Sequence, residues 1–139
     1  MIVLDTNVIS ELMRPAPSPA VESWMSAQPA AGMFISAITE AELRYGLALL
    51  PDGHRQRRLL AQAEAMLAED FAGGILPFDS AAAGAYAPTA AARRLAGRPI
   101  SQADAQIAAI AASGGAAFAT RNVADFDGCG IAVLDPWGA

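Results

Sequence analysis

The chain has 139 residues and a formal net charge of −5, a length that fits one domain over residues 1–139 and leaves no room for two. With 54% hydrophobic and 17% charged residues, a disordered chain is excluded, and no apolar run reaches the ~18 residues of a membrane span. The single cysteine, Cys129, excludes an internal disulfide framework and a multi-cysteine zinc site.

The elements follow in order. Met1-Ile2-Val3-Leu4 is a short, β-branched apolar run that reads as a buried strand ending at Asp5. Val8, Ile9, Leu12 and Met13 then fall at helical spacing, and Pro15 and Pro17 stop that helix. Pro19 to Gln28 predicts a second helix with Val21, Trp24 and Met25 on one face. Met33 to Ser36 predicts a second strand, and Thr39 starts a helix through Leu50. After the turn at Pro51-Asp52-Gly53, an arginine-bearing helix runs to about Asp70. Ile75 to Phe78 predicts a third strand, and Ser80 to Ala96 an alanine-rich helix that Pro88 should kink or divide. Ser101 to Ser113 is a further helix, closed by Gly114-Gly115. Ala116 to Ala119 and Ile131 to Leu134 complete the strands. Helices alternating with short apolar strands imply an α/β fold of three layers, a mostly parallel sheet of about five strands flanked by helices.

What is missing narrows the chemistry. The nine basic residues are all arginine, so no P-loop or Schiff-base lysine exists. G-x-G-x-x-G and G-x-S-x-G are absent. The one histidine, His54, lies in a polar stretch and is expected on the surface. Chemistry must rest on carboxylates, hydroxyls, amides or arginine. The acidic balance argues against broad tracking of a phosphate backbone. It leaves room for a nuclease whose acidic pocket holds a metal. Arg14 is the first basic residue, and Asp5 and Glu11 interrupt the early apolar stretch, so a secretory leader is not expected and the cytoplasm is the default.

The acids fall where open α/β sheets bind ligands, at the carboxyl ends of strands. Asp5 follows strand one, Glu42 and Asp104 lie in the first turns of their helices, and Asn122 and Asp125 follow strand four. Gathered carboxylates repel one another unless a cation is present, and oxygen-only donors select Mg²⁺ or Mn²⁺. Such a cation activates water and offsets charge on a phosphate. Thr39-x-x-Glu42 and Ser101-x-x-Asp104 also match the capping-box pattern, which by itself accounts for both acids. Asp5 is harder to explain that way, because a carboxylate ending a buried strand is costly without a partner. Glu40, Asp79 and Asp135 read as surface, turn or capping residues. Arg55, Arg57 and Arg58, with Arg93, Arg94 and Arg98, read as solvated helix faces, or else as a rim that guides RNA phosphates. Leu43, Leu47 and Leu50 read as core, or else as a groove for an apolar helix.

Leu4-Asp5-Thr6-Asn7-Val8-Ile9-Ser10-Glu11-Leu12 resembles the opening motif of PIN-domain ribonucleases, especially VapC-type toxins. Ile35 to Gly46, Ile100 to Ala108 and Ala119 to Phe126 resemble their second, third and fourth motifs. Leu76-Pro77-Phe78-Asp79 and Asp135-Pro136-Trp137 resemble the FitB subgroup. The resemblance implies a PIN-like three-layer fold and an endoribonuclease toxin of a type II toxin–antitoxin pair, with Mg²⁺ or Mn²⁺ as cofactor. By match, Asp5, Glu42 and Asp104 take the acidic positions, with Asp5 and Asp104 as the main metal ligands. Asn122 stands where many members have a fourth acid; Asp125 is the nearby substitute. Thr6, Asn7 and Thr120 are expected to orient ligands or water, and Arg121 to meet substrate or antitoxin. The expected partners are a small VapB- or FitA-like antitoxin, RNA and a second copy of the chain, with DNA reached only through the antitoxin and no membrane. The competing reading is a weakly catalytic partner of a DNA-binding antitoxin, acting in transcriptional regulation.

Overall fold

The computed structural model describes residues 1–138. In chain order it contains β1 (Ile2–Leu4), α1 (Thr6–Leu12), α2 (Pro19–Ser26), a 3-10 turn (Ala30–Gly32), β2 (Met33–Ser36), α3 (Ala37–Ala48) and α4 (His54–Glu69). There follow β3 (Ile75–Leu76), α5 (Ser80–Leu95), α6 (Gln102–Ser113), β4 (Ala117–Ala119), a second 3-10 turn (Val123–Phe126) and β5 (Val133–Leu134). The strands form one sheet of order β3-β2-β1-β4-β5, and every pairing is parallel.

The central strand is apolar throughout because both of its faces are covered. Val3 and Leu4 are each 0% exposed yet serve opposite layers, as the alternation of a strand requires. Leu4 packs with Ile35, Val8, Leu43 and Leu67. Val3 packs with Phe118, Ile107 and Phe126. Phe118 meets Phe126 with ring centroids 4.6 Å apart, which ties β4 to the 3-10 turn that follows it.

Several boundaries differ from the sequence reading. The helix expected from Thr39 begins at Ala37 and is capped by the Ser36 hydroxyl, which accepts the Thr39 N–H at 3.0 Å. Glu42 therefore sits in the second turn, and the capping explanation for it falls away. The box at Ser101 holds, with the Asp104 N–H donating to Ser101 Oγ at 3.2 Å. The edge strand β3 stops at Leu76, because Pro77 has no N–H to continue a ladder. Pro88 does not divide α5. It is solvent-exposed, as is Gly84, whose carbonyl loses the Pro88 partner and turns to water.

Arg93 is a larger correction. Instead of lying on a solvated face, it is buried at 8% exposure. Its Nε donates to the Arg98 carbonyl at 2.7 Å, and its Nη1 to the Asp125 and Asp127 carbonyls at 3.0 and 2.9 Å. The last turn of α5 thereby clamps the segment after β4. Arg93→Met strands those carbonyls and is expected to cost about 2 kcal/mol, read as a lower urea midpoint at unchanged slope. Arg94 and Arg98 stay exposed.

This topology positions the site. From β1 the chain passes to β2 and β3 on one side, then returns across to β4 and β5 on the other. The reversal lies between β1 and β4, and the crevice at their carboxyl ends is where such sheets hold ligands.

Candidate active site

Asp5 stands at that crevice. It follows β1 directly and caps α1, accepting the Thr6 N–H on Oδ1 at 2.8 Å. Its Oδ2 accepts the Thr120 hydroxyl at 2.7 Å and the Asn7 amide at 3.3 Å. Thr120 is itself fully used: its hydroxyl also accepts from Asn7 Nδ2 at 3.2 Å and from the Asn122 N–H at 3.1 Å. Asn7 Oδ1 accepts the Arg121 N–H at 3.2 Å, linking α1 to the segment after β4. The pairing of Leu4 with Ala119 makes this network possible.

Burial pushes the Asp5 carboxyl above its ordinary value of 3.8. The bonds from Thr120 and Thr6 oppose that rise, while the charges of Asp104 and Glu42 add to it. Both of those carboxylates thus act on Asp5 across one cleft. Glu42 is exposed on α3 and accepts the Thr6 hydroxyl on Oε1 at 2.9 Å. The Thr6 and Thr39 hydroxyls lie 3.2 Å apart, with Thr39 0% exposed beneath them. Asp104 is half-buried at the start of α6.

The cleft has a volume of about 580 Å³ and is lined by Asp5, Thr6, Asn7, Glu42, Asp104, Arg121 and Asn122, among others. The structure therefore brings together the expected residues except for Asp125 and Thr120. Thr120 is 0% exposed and reaches the site through Asp5. Asp125 is exposed in the 3-10 turn and is not among the lining residues, whereas Asn122 is.

Four lining residues escape the sequence reading: Ser10, Glu11, Arg14 and Trp137. Glu11 is buried at 7% exposure, with Oε2 accepting the Ser18 N–H at 3.0 Å and Oε1 3.4 Å from Arg14 Nη1. Its signal was available: it falls three residues after Val8, on the apolar face of α1, where an acid needs a partner. Trp137 also lines the cleft, with the Arg121 guanidinium 5.1 Å from its ring centroid. No local pattern marks that contact.

The donor set suits a hard cation. Each carboxylate oxygen has two lone pairs. On Asp5, Oδ2 uses both and Oδ1 uses one, leaving one directed outward. Among the described residues, neither Asp5, Glu42 nor Asp104 has an arginine within ion-pair distance. Nor do three acidic, histidine or cysteine side chains converge closely enough among those residues to enclose an ion by themselves. One or two carboxylates with water completing the shell is the usual arrangement for Mg²⁺.

Three carboxylates without an arginine partner among the described residues thus stand at the reversal point of a parallel α/β sheet. Residues 2–127 match the PIN domain profile, and the chain belongs to the PIN-domain family. It is 43% identical to the VapC ribonuclease Y4jK of Sinorhizobium fredii over 137 residues, covering 99% of this chain and 98% of that protein. It is 42% identical to toxin FitB of Neisseria gonorrhoeae, covering 99% of each. The solved structure of FitAB bound to an IR36 DNA fragment matches with a TM-score of 0.94 and 40% identity, covering 100% of this chain and 97% of that one. Among the described residues, no helix is long and apolar enough to cross a membrane.

Proposed function

We propose that the chain is the toxin of a type II toxin–antitoxin pair, an endoribonuclease that hydrolyses RNA phosphodiester bonds with Mg²⁺ or Mn²⁺ held by Asp5 and Asp104. The observation that carries this reading is that Asp5, Glu42 and Asp104 meet at one cleft with no arginine within ion-pair distance among the described residues. The resemblance to a VapC ribonuclease and to toxin FitB supports RNA as substrate and toxicity as the outcome. The cytoplasm, where RNA is made and translated, is the compartment this reading requires.

A divalent cation, when bound, supplies an activated water and offsets charge building on the phosphate. The chain's residues do the rest. Thr120, Thr6 and Asn7 hold the Asp5 carboxylate with one lone pair free. Thr6 fixes Glu42 through its hydroxyl, leaving the other Glu42 oxygen to hold a water. Asn122, with a neutral amide, orients water or ligand without adding negative charge. Thr120→Val keeps the shape but removes the bond that favours the ionised Asp5. The Asp5 carboxyl then rises further, so the acidic limb of the cleavage–pH profile moves to higher pH.

A partner antitoxin belongs to the same reading. A groove of about 630 Å³ between α1, α3 and α4 is floored by Leu43, Leu47 and Leu59 and edged by Arg14, Arg55 and Arg58. It shares Ser10 and Arg14 with the cleft. A segment of the antitoxin lying there reaches the carboxylates, and the solved FitAB–DNA assembly fits a chain that meets DNA through such a partner. Tyr45 on α3 and Leu49 just after it, 67% and 66% exposed, are the large apolar side chains a second copy would cover on this reading. The test is incubation of purified chain with total RNA in Mg²⁺, Mn²⁺ or EDTA. Metal-dependent fragments are expected. Intact RNA in every lane, from folded protein free of antitoxin, overturns the nuclease reading in favour of a regulatory partner.

A further inference from the structure

Of the arginines in the cleft, Arg14 is engaged by Glu11. Arg121 has no carboxylate within ion-pair distance among the described residues, although it lines the same cleft as Asp5, Glu42 and Asp104. An exposed guanidinium beside uncompensated carboxylates would ordinarily swing onto one of them. Arg121 instead lies over the Trp137 ring, 5.1 Å from its centroid.

The stack is built by the fold. Parallel pairing of β4 with β5 brings the two following segments together, with the Thr120 N–H donating to the Leu134 carbonyl at 2.9 Å. The Arg121 backbone is tied to Asn7 at 3.2 Å. On the other strand, Pro136 is fully buried and Asp135 Oδ1 accepts the Trp137 N–H at 2.9 Å. Trp137 packs against the apolar core. The layers thus run from core to indole to guanidinium to open cleft.

We propose that Arg121, held over the Trp137 ring, is the docking point for the RNA phosphate next to the bond that is cut, and that Trp137 is its positioning residue. This rests on the ribonuclease reading above and deepens it. A guanidinium held over an aromatic face has its position restrained while its N–H groups remain able to make paired bonds to phosphate oxygens. In a chain of net charge −5, a fixed positive group beside the acidic centre gives the substrate one orientation: one phosphate on Arg121, the next at the carboxylates.

The experiment compares steady-state cleavage by Arg121→Ala, Trp137→Ala and Trp137→Phe with the parent, in Mn²⁺, on an RNA the parent cuts. Arg121→Ala is expected to raise KM about tenfold, the worth of one charge-assisted phosphate contact. Trp137→Ala is expected to raise KM about threefold with kcat nearly constant, and Trp137→Phe to recover most of that loss. Mn²⁺ affinity and melting temperature should stay at the parent values, which separates a positioning role from damage to the fold. An unchanged KM in both alanine variants, or a fall in kcat alone, overturns the proposal. So does an effect confined to neutralisation by an antitoxin, which would make the stack a protein contact. A second readout uses Trp24→Phe with Asp5→Asn, leaving Trp137 as the sole tryptophan, excited selectively over the two tyrosines. A short single-stranded RNA of mixed sequence should change its emission. If the parent cuts no RNA, the ribonuclease reading fails by itself. The fluorescence then decides whether the stack binds RNA, and an unchanged signal overturns it.

Discussion

Asp5→Asn is expected to lower RNA cleavage about a thousandfold or more, because a cation at this site contributes several kcal/mol of transition-state stabilisation. The fold should survive, since the amide keeps the shape and its oxygen can take the Oδ2 position and still accept the Thr120 hydroxyl. The pH behaviour follows from the raised Asp5 carboxyl. Parent cleavage should fall as pH drops through that raised value, where the protonated acid releases the metal. Stability runs the other way in metal-free protein. A carboxyl whose folded value exceeds its unfolded value favours the fold most below the ordinary 3.8. That contribution is lost as pH rises through the raised value. Melting temperature against pH should show this decline in the parent and not in Asp5→Asn. Added Mn²⁺ should raise the melting temperature of the parent alone at neutral pH. Equal metal protection of both proteins would remove Asp5 from the ligand set.

Phe118→Ala is expected to cost about 3–5 kcal/mol, the range for deleting a buried aromatic. Phe118 is 0% exposed at the middle of β4 and stacks on Phe126, 2% exposed. The site feels this loss because both rings bracket residues 120–125, which carry Thr120, Arg121 and Asn122. Against a typical total of about 5–15 kcal/mol, the variant should show a strongly lowered urea midpoint. Cleavage should fail at temperatures where the parent still cuts. A midpoint within about 1 kcal/mol of the parent would mean that the cavity closes, contrary to the close packing of this layer.

Much of this architecture is written locally. The runs at Ile2–Leu4, Met33–Ser36 and Ala117–Ala119 are short, apolar and followed by polar residues, so both the parallel sheet and the acidic edge could be placed from them. Asp104 at its Ser101 cap is equally local. What escaped depends on distant partners. Arg93 looked like its exposed neighbours Arg94 and Arg98, and only carbonyls 32 and 34 residues away make its burial affordable. The start of α3 slipped by two residues because Ser36 and Thr39 are both good caps, and Thr39 is needed inside, beneath Thr6. Trp137 packs against the core, yet its other contact is set by the β4–β5 pairing. The choice between Asn122 and Asp125 depended on the 3-10 turn after β4, which holds Asp125 outside the cleft.

The most direct test of the central claim is a Mn²⁺ titration in which bound ion, by electron paramagnetic resonance, and RNA cleavage rate are read on the same samples of parent, Asp5→Asn and Asp104→Asn. The carboxylate cleft predicts that the parent's cleavage rises in step with bound Mn²⁺, and that both variants lose the two signals together. Cleavage that proceeds at full rate without bound Mn²⁺, or Mn²⁺ bound equally by all three proteins, would contradict it.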